Sequence, residues 1–166
     1  MFELKPLHKE AIQRALEKVE RYRLLNEPME AESICLDVLA IDPENQTALV
    51  MLILARTDQL RTTTSMSAGK AREAISRLKD EYSRMYYQGI VCERQAKAEI
   101  ERGLPLSSSS AYEWLREAMG WYDKAEQVRP TGDDDAILRW NTCARLLNQD
   151  PRLRARDEDH TESQLE

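Results

Sequence analysis

Apolar residues recur every three or four positions along most of this chain, and the interruptions fall at proline, glycine and asparagine. Ile12, Leu16, Val19 and Tyr22 share one helical face, predicting a helix from about Pro6 to Leu25 that stops at Asn26-Glu27-Pro28. Ala31, Cys35, Val38 and Leu39 line a second helix, about 29–41. Asp42-Pro43 ends it, because the residue before proline is pushed out of the helical region and proline has no N–H to donate. Leu49, Leu52 and Ile53 carry a third helix over about 44–60, and RTTTSMSAG then reads as a polar loop. Ala71, Ile75 and Leu78 resume the stripe up to a break at Lys79-Asp80. Tyr82, Met85, Tyr86, Gly89, Ile90, Ala96 and Ile100 describe a long helix over 81–102, closed by Gly103. Ser109 or Ser110 caps a helix running to Val128 that carries Trp114, Leu115, Ala118, Met119, Tyr122 and Ala125. Asp133-Asp134-Asp135 opens a last one, with Ala136, Leu138, Trp140, Ala144 and Leu147, which ends at Asp150-Pro151. Residues 151–166 are polar and aperiodic, and disorder is expected there.

The stretch from Ile12 to Pro43 resembles a tetratricopeptide repeat. Tyr22 takes the large aromatic place of the first helix, Ala31 the small place where paired helices touch, Cys35 and Val38 the next two places, and Pro43 the terminal proline. Ala15 and Lys18-Val19 depart from the usual tryptophan and Leu-Gly. Ala118, Tyr122, Ala125 and Pro130 fall on the same places as Ala31, Cys35, Val38 and Pro43, an internal correspondence that supports repetition. The resemblance implies an all-α fold: a right-handed superhelical array of antiparallel helix pairs. About three repeats, irregular in the middle, and a C-terminal capping helix would make one domain over 1–150. Gly89 is explained in the same way. A glycine costs about 1 kcal/mol inside a helix, and close approach of a neighbouring helix would account for it.

Composition narrows the function. The chain has 166 residues, 42% of them apolar, enough for a real core. A net charge of −6 argues against general nucleic-acid binding, which needs a dense cationic surface. No apolar run approaches the ~20 residues that span a bilayer, and MFELKPLHKE lacks the pattern of a signal peptide. The three cysteines, Cys35, Cys92 and Cys143, are far apart and lie in apolar stripes, as expected of buried thiols in a reducing compartment. A cytoplasmic protein is the expectation.

Candidate chemistry is thin. His8 and His160 are the only histidines, no CxxC or HxxxH spacing exists, and Ser67–Lys70 (SAGK) lacks the glycine-rich loop and preceding strand of a phosphate cradle. No enzyme, metal or cofactor is expected. The aromatic residues Tyr82, Tyr86, Tyr87, Trp114, Trp121, Tyr122 and Trp140 read as core, with a ligand groove as the alternative.

In the resembled family the first helix of each pair lines a concave surface that binds peptides or partner helices. By register, the groove candidates are Leu16, Glu17, Glu20 and Arg23, then Val50, Met51, Leu54 and Asp58, then Tyr86, Tyr87, Ile90 and Glu93. Family members that clamp the acidic tails of heat-shock chaperones carry Lys and Asn where Leu16 and Glu20 stand here, so that specificity is not implied. The expected partner is a protein segment that is apolar and flanked by basic residues. This implies an adaptor; the alternatives are a client-specific acidic chaperone and a self-associating scaffold in which Arg152–Arg156 docks into a neighbour's groove. Leu54, facing the groove, is expected to tolerate a charge without loss of stability.

Overall fold

The computed structural model describes residues 1–61, 66–104 and 107–155. Among the described residues, seven α-helices follow a short 3-10 turn at Lys9–Ala11: α1 (Ile12–Leu24), α2 (Pro28–Ile41), α3 (Gln46–Asp58), α4 (Met66–Ser76), α5 (Glu81–Arg102), α6 (Ser107–Gln127) and α7 (Asp135–Gln149). No strand occurs among the described residues. None of the described helices is long and apolar enough to cross a membrane.

Local chemistry sets the boundaries. After α1 the chain turns through Asn26 at φ +60°, and the Glu27 N–H donates to the Tyr22 carbonyl (2.9 Å) while Asn26 N–H donates to Arg23 (3.0 Å). These are the paired bonds that close a helix at a left-handed residue. Pro28 then occupies the first turn of α2, where a missing N–H costs nothing. Asn45 caps α3 by accepting from the Ala48 N–H (2.9 Å), and Asp80 caps α5 by accepting from the Ser83 N–H (2.8 Å). Gly103 ends α5 at φ +60°.

Three boundaries differ from the sequence expectation. The first helix starts at Ile12 rather than near Pro6, because Met1, Phe2 and Leu4 find nothing to pack against and stay exposed. Met66 already belongs to α4, so the second half of the expected loop is helical; residues 62–65 lie outside the described part. The first residues after α7 pack on the body: Leu153 N–H bonds to the Asp150 carbonyl (3.0 Å), and the Leu153 side chain is buried in the core. Residues 156–166 lie outside the described part.

Each helix packs on the next in sequence, and α1 also touches α3, as α3 touches α5. Two apolar clusters result. One is built from α1–α4 and takes Val91 and Ala98 from α5; the other holds the remaining buried residues of α5 with α6, α7 and Leu153. Tyr87 packs against both, so α5 is the element that joins them. Ala31 and Ala118 are completely buried, as expected for small places in the helix seams.

The closest seam is α5 on α6. A Cβ added at Gly89 would lie 2.7 Å from Tyr122 Cδ1, inside any permitted contact. The ring cannot step aside freely, since its hydroxyl donates to Glu93 (2.7 Å). Gly89→Ala is therefore expected to destabilise the protein by about 1–3 kcal/mol, despite alanine's propensity advantage of about 1 kcal/mol. A lowered urea midpoint checks it; a midpoint equal to or above that of the parent would mean the ring yields.

Candidate functional site

Charged side chains converge where α1, α3 and α5 lie side by side. Arg23 sits in the last turn of α1 and Asp58 ends α3; Arg23 Nε donates to Asp58 Oδ2 at 2.7 Å. Arg94 of α5 donates to Asp58 Oδ1, to Thr57 Oγ1 (2.7 Å) and to the Leu54 carbonyl (3.2 Å). A carboxylate at a helix C-terminus faces the negative end of the dipole, and two guanidinium groups offset that. Burial pulls the Arg94 pKa below the ordinary arginine value, and the neighbouring Asp58 opposes the shift.

A second carboxylate is buried one position before Arg94. Glu93 is 1% exposed and accepts from Tyr122 Oη (2.7 Å), Lys97 Nζ (2.5 Å) and Arg139 Nη1 (3.3 Å). It thus ties α5 to both α6 and α7. Burial, and then the charge of Glu93, push the Tyr122 phenol far above the ordinary tyrosine range, so its hydroxyl stays a donor. Desolvation works to lower the Arg139 pKa, but Glu93, Tyr86 and Tyr122 together outweigh it and the net shift is upward.

Between these two centres opens a cleft of about 380 Å³. Glu20, Arg23 and Leu24 come from α1, Thr57 and Asp58 from α3, Arg94, Lys97 and Ala98 from α5, and Arg139 from α7; Asn26, Leu60 and Arg61 complete the wall. Five cations face two carboxylates there. Each inner carboxylate is shared by two cations, so the surplus charge of the lining is positive. Arg61 reaches outward to Glu101 (2.5 Å) at an exposed pair. A second hollow of about 290 Å³, beside Ile75, Met85 and Trp121, has one arginine in its wall, Arg84, bonded to the Leu78 and Lys79 carbonyls.

Of the twelve expected groove residues, Glu20, Arg23 and Asp58 line the cleft. Glu17 is exposed outside it, within 3.4 Å of Gln13. Leu16 and Ile90 are core residues, and Glu93 is buried beneath the cleft rather than presented in it. Val50, Met51, Leu54, Tyr86 and Tyr87 are half-buried and pack against the two apolar clusters. The expected residues that do line the cleft come from the C-terminal halves of α1 and α3. Leu54 is thus no site for a harmless charge: its side chain packs against the second cluster, and its carbonyl holds Arg94. None of the aromatic rings lines the cleft.

Arg94, Lys97 and Arg139 were not anticipated. The first two stand one helical turn beyond Ile90 and Glu93, so extending the stripe by a turn would have reached them. Nothing in the sequence pattern marks Arg139. The basic stretch proposed to enter an acidic groove is also differently placed. Arg152 pairs with Asp150 (2.9 and 2.7 Å), Arg156 lies outside the described residues, and the cleft it would enter is cationic.

Burial pushes the Cys35, Cys92 and Cys143 thiols up to about 12, which leaves almost no thiolate at neutral pH. Among the described residues no group of three His, Cys, Asp or Glu side chains is placed to hold a metal ion. His160 lies outside them.

Two outcomes are expected. Tyr122→Phe keeps the ring but removes a donor from a buried carboxylate, and should lower stability by about 1.5–3 kcal/mol in urea melts; an unchanged midpoint would mean that Glu93 is otherwise satisfied. Native protein should resist alkylation by iodoacetamide, and all three thiols should react once it is unfolded; rapid labelling of the native state would contradict their burial. Comparisons with family models, with curated proteins and with solved structures give no significant match to this chain.

Proposed function

We propose that this chain is a non-catalytic protein-interaction module of tetratricopeptide type, a right-handed array of antiparallel helix pairs whose cleft takes an extended acidic segment of a partner protein. The observation that carries this reading is the convergence of α1, α3, α5 and α7 on one cleft whose five cations exceed the four carboxylates that line it or pair with them, Glu20, Asp58, Glu93 and Glu101. Alternate helices facing a common concavity is the arrangement that helix-pair arrays use for extended ligands. The helix lengths, the Asn26-Glu27-Pro28 and Asp42-Pro43 turns and the buried Ala31 and Ala118 support the same family.

The charge of the lining favours acidic over basic segments. Glu93 and Asp58 are engaged with cations already in place, so a Lys or Arg from a partner would find only Glu20 among the lining carboxylates and would meet the surplus positive charge. A partner carboxylate can accept from a guanidinium fork, the strong, directional pairing of such groups. This reverses the basic-apolar partner expected from Glu17, Glu20 and Glu93. It also uses other positions than the Lys and Asn places of the chaperone-tail clamps.

Fluorescence anisotropy with labelled ten-residue acidic and basic peptides tests the reading. The acidic peptide should bind more tightly, lose affinity as salt rises, and weaken about tenfold or more with Arg61→Glu, a change that reverses one lining charge. Arg61 is exposed and pairs only with the exposed Glu101 among the described contacts, so an unchanged melting temperature is expected. Equal binding of both peptides, or indifference to Arg61→Glu, would overturn it.

A further inference from the structure

The last eleven residues, 156–166, carry five carboxylates and one arginine in a chain whose net charge is −6. These residues thus carry a net charge of −4 (one arginine against five carboxylates), most of the chain's −6.

We infer that the acidic segment 157–166 of this same chain occupies the cationic cleft and competes there with the acidic partner segment. The inference rests on the proposed reading of the cleft and adds to it a built-in competitor.

Three features carry it. The first is charge: Asp157, Glu158, Asp159, Glu162 and Glu166 match a lining in which Arg23, Arg94, Lys97 and Arg139 exceed the local carboxylates. The second is the anchored exit. Asp150 accepts from the Arg152 backbone N–H (3.0 Å) and from its guanidinium, and Leu153 is buried among residues of α5, α6 and α7. The segment thus departs from a fixed point on the body that also presents the cleft. The third is reach. Arg139 and the end of α7 at Gln149 are separated by about 15 Å of helix, and ten extended residues span up to about 35 Å. A tethered segment of this length meets its site at an effective concentration of about a millimolar. Weak ionic contacts are then enough to shield the cleft, whereas a separate acidic protein would have to overcome that competition.

The test uses the full-length chain with its five tail carboxylates removed together, by Asp157→Asn, Glu158→Gln, Asp159→Asn, Glu162→Gln and Glu166→Gln. A labelled synthetic peptide of residues 156–166 and a labelled oligo-glutamate of equal length are the probes, read by anisotropy at low salt. Both probes should bind the substituted chain about tenfold or more tightly than the parent chain, and the difference should vanish at high salt. Equal affinity of the tail peptide for the two chains overturns the inference. If oligo-glutamate binds both chains equally well, the cleft keeps its ligand class and only the tail's role falls. If neither probe binds either chain, the reading of the cleft falls with it. Sedimentation of the parent chain separates a second copy: a concentration-dependent dimer lost on substitution would show that the tail docks between molecules, and would overturn docking within one.

Discussion

Burying Glu93 imposes the tightest constraint on this molecule. Removing a carboxylate from water costs several kcal/mol unless charge and hydrogen bonds replace the solvent. Three helices supply the replacements: Lys97 from α5, Tyr122 from α6 and Arg139 from α7. The tyrosine reaches the carboxylate only by lying flat against α5, which is why position 89 carries no side chain. One buried charge thus ties α5 to both α6 and α7 and is matched by a glycine in a helix interior. Asp58 repeats the scheme with Arg23 and Arg94 and binds α1, α3 and α5 together.

Both centres have the same stoichiometry, one carboxylate held by two cations, and this decides the character of the cleft. Their excess charge is offset in part by Glu20, the other carboxylate of the lining. It is expressed where the helices splay, between the last turns of α1 and α3 and the second half of α5. An acidic chain therefore presents a cationic recess. Structural charge pairs of this kind contribute little net stability by themselves, but they hold arginine side chains in one orientation before any ligand arrives, which lowers the ordering cost of binding.

Much of the helical layout was legible because it is written in local chemistry. Asn26-Glu27-Pro28, Asp42-Pro43, Asp80 and Gly103 each end or start a helix through bonds within a few residues. Where the sequence misled, tertiary contacts decided. Pro6 could open a helix, but its neighbours had no surface to cover; Leu153 looks like part of a polar tail, yet a hydrophobic site awaits it. The site was legible as a face and not as a depth. Periodicity placed Leu16, Val50 and Tyr86 on helix stripes that the fold buries or half-buries, and it has no information on where the helices leave a recess. The pairs that mark the open turn, Arg23 with Asp58 and Arg139 with Glu93, join residues 35 and 46 positions apart. Only the fold brings them together.

The most direct measurement of the central claim is NMR of the arginine side chains during titration with an acidic peptide. Chemical shifts of the Arg23, Arg94 and Arg139 Nε–Hε groups should move together, along with the backbone amides of 57–61 and 94–98, while Arg72 beside Trp114 stays still. Perturbations centred on Arg72, Trp114 and Trp121, with the cleft arginines unmoved, would contradict the account.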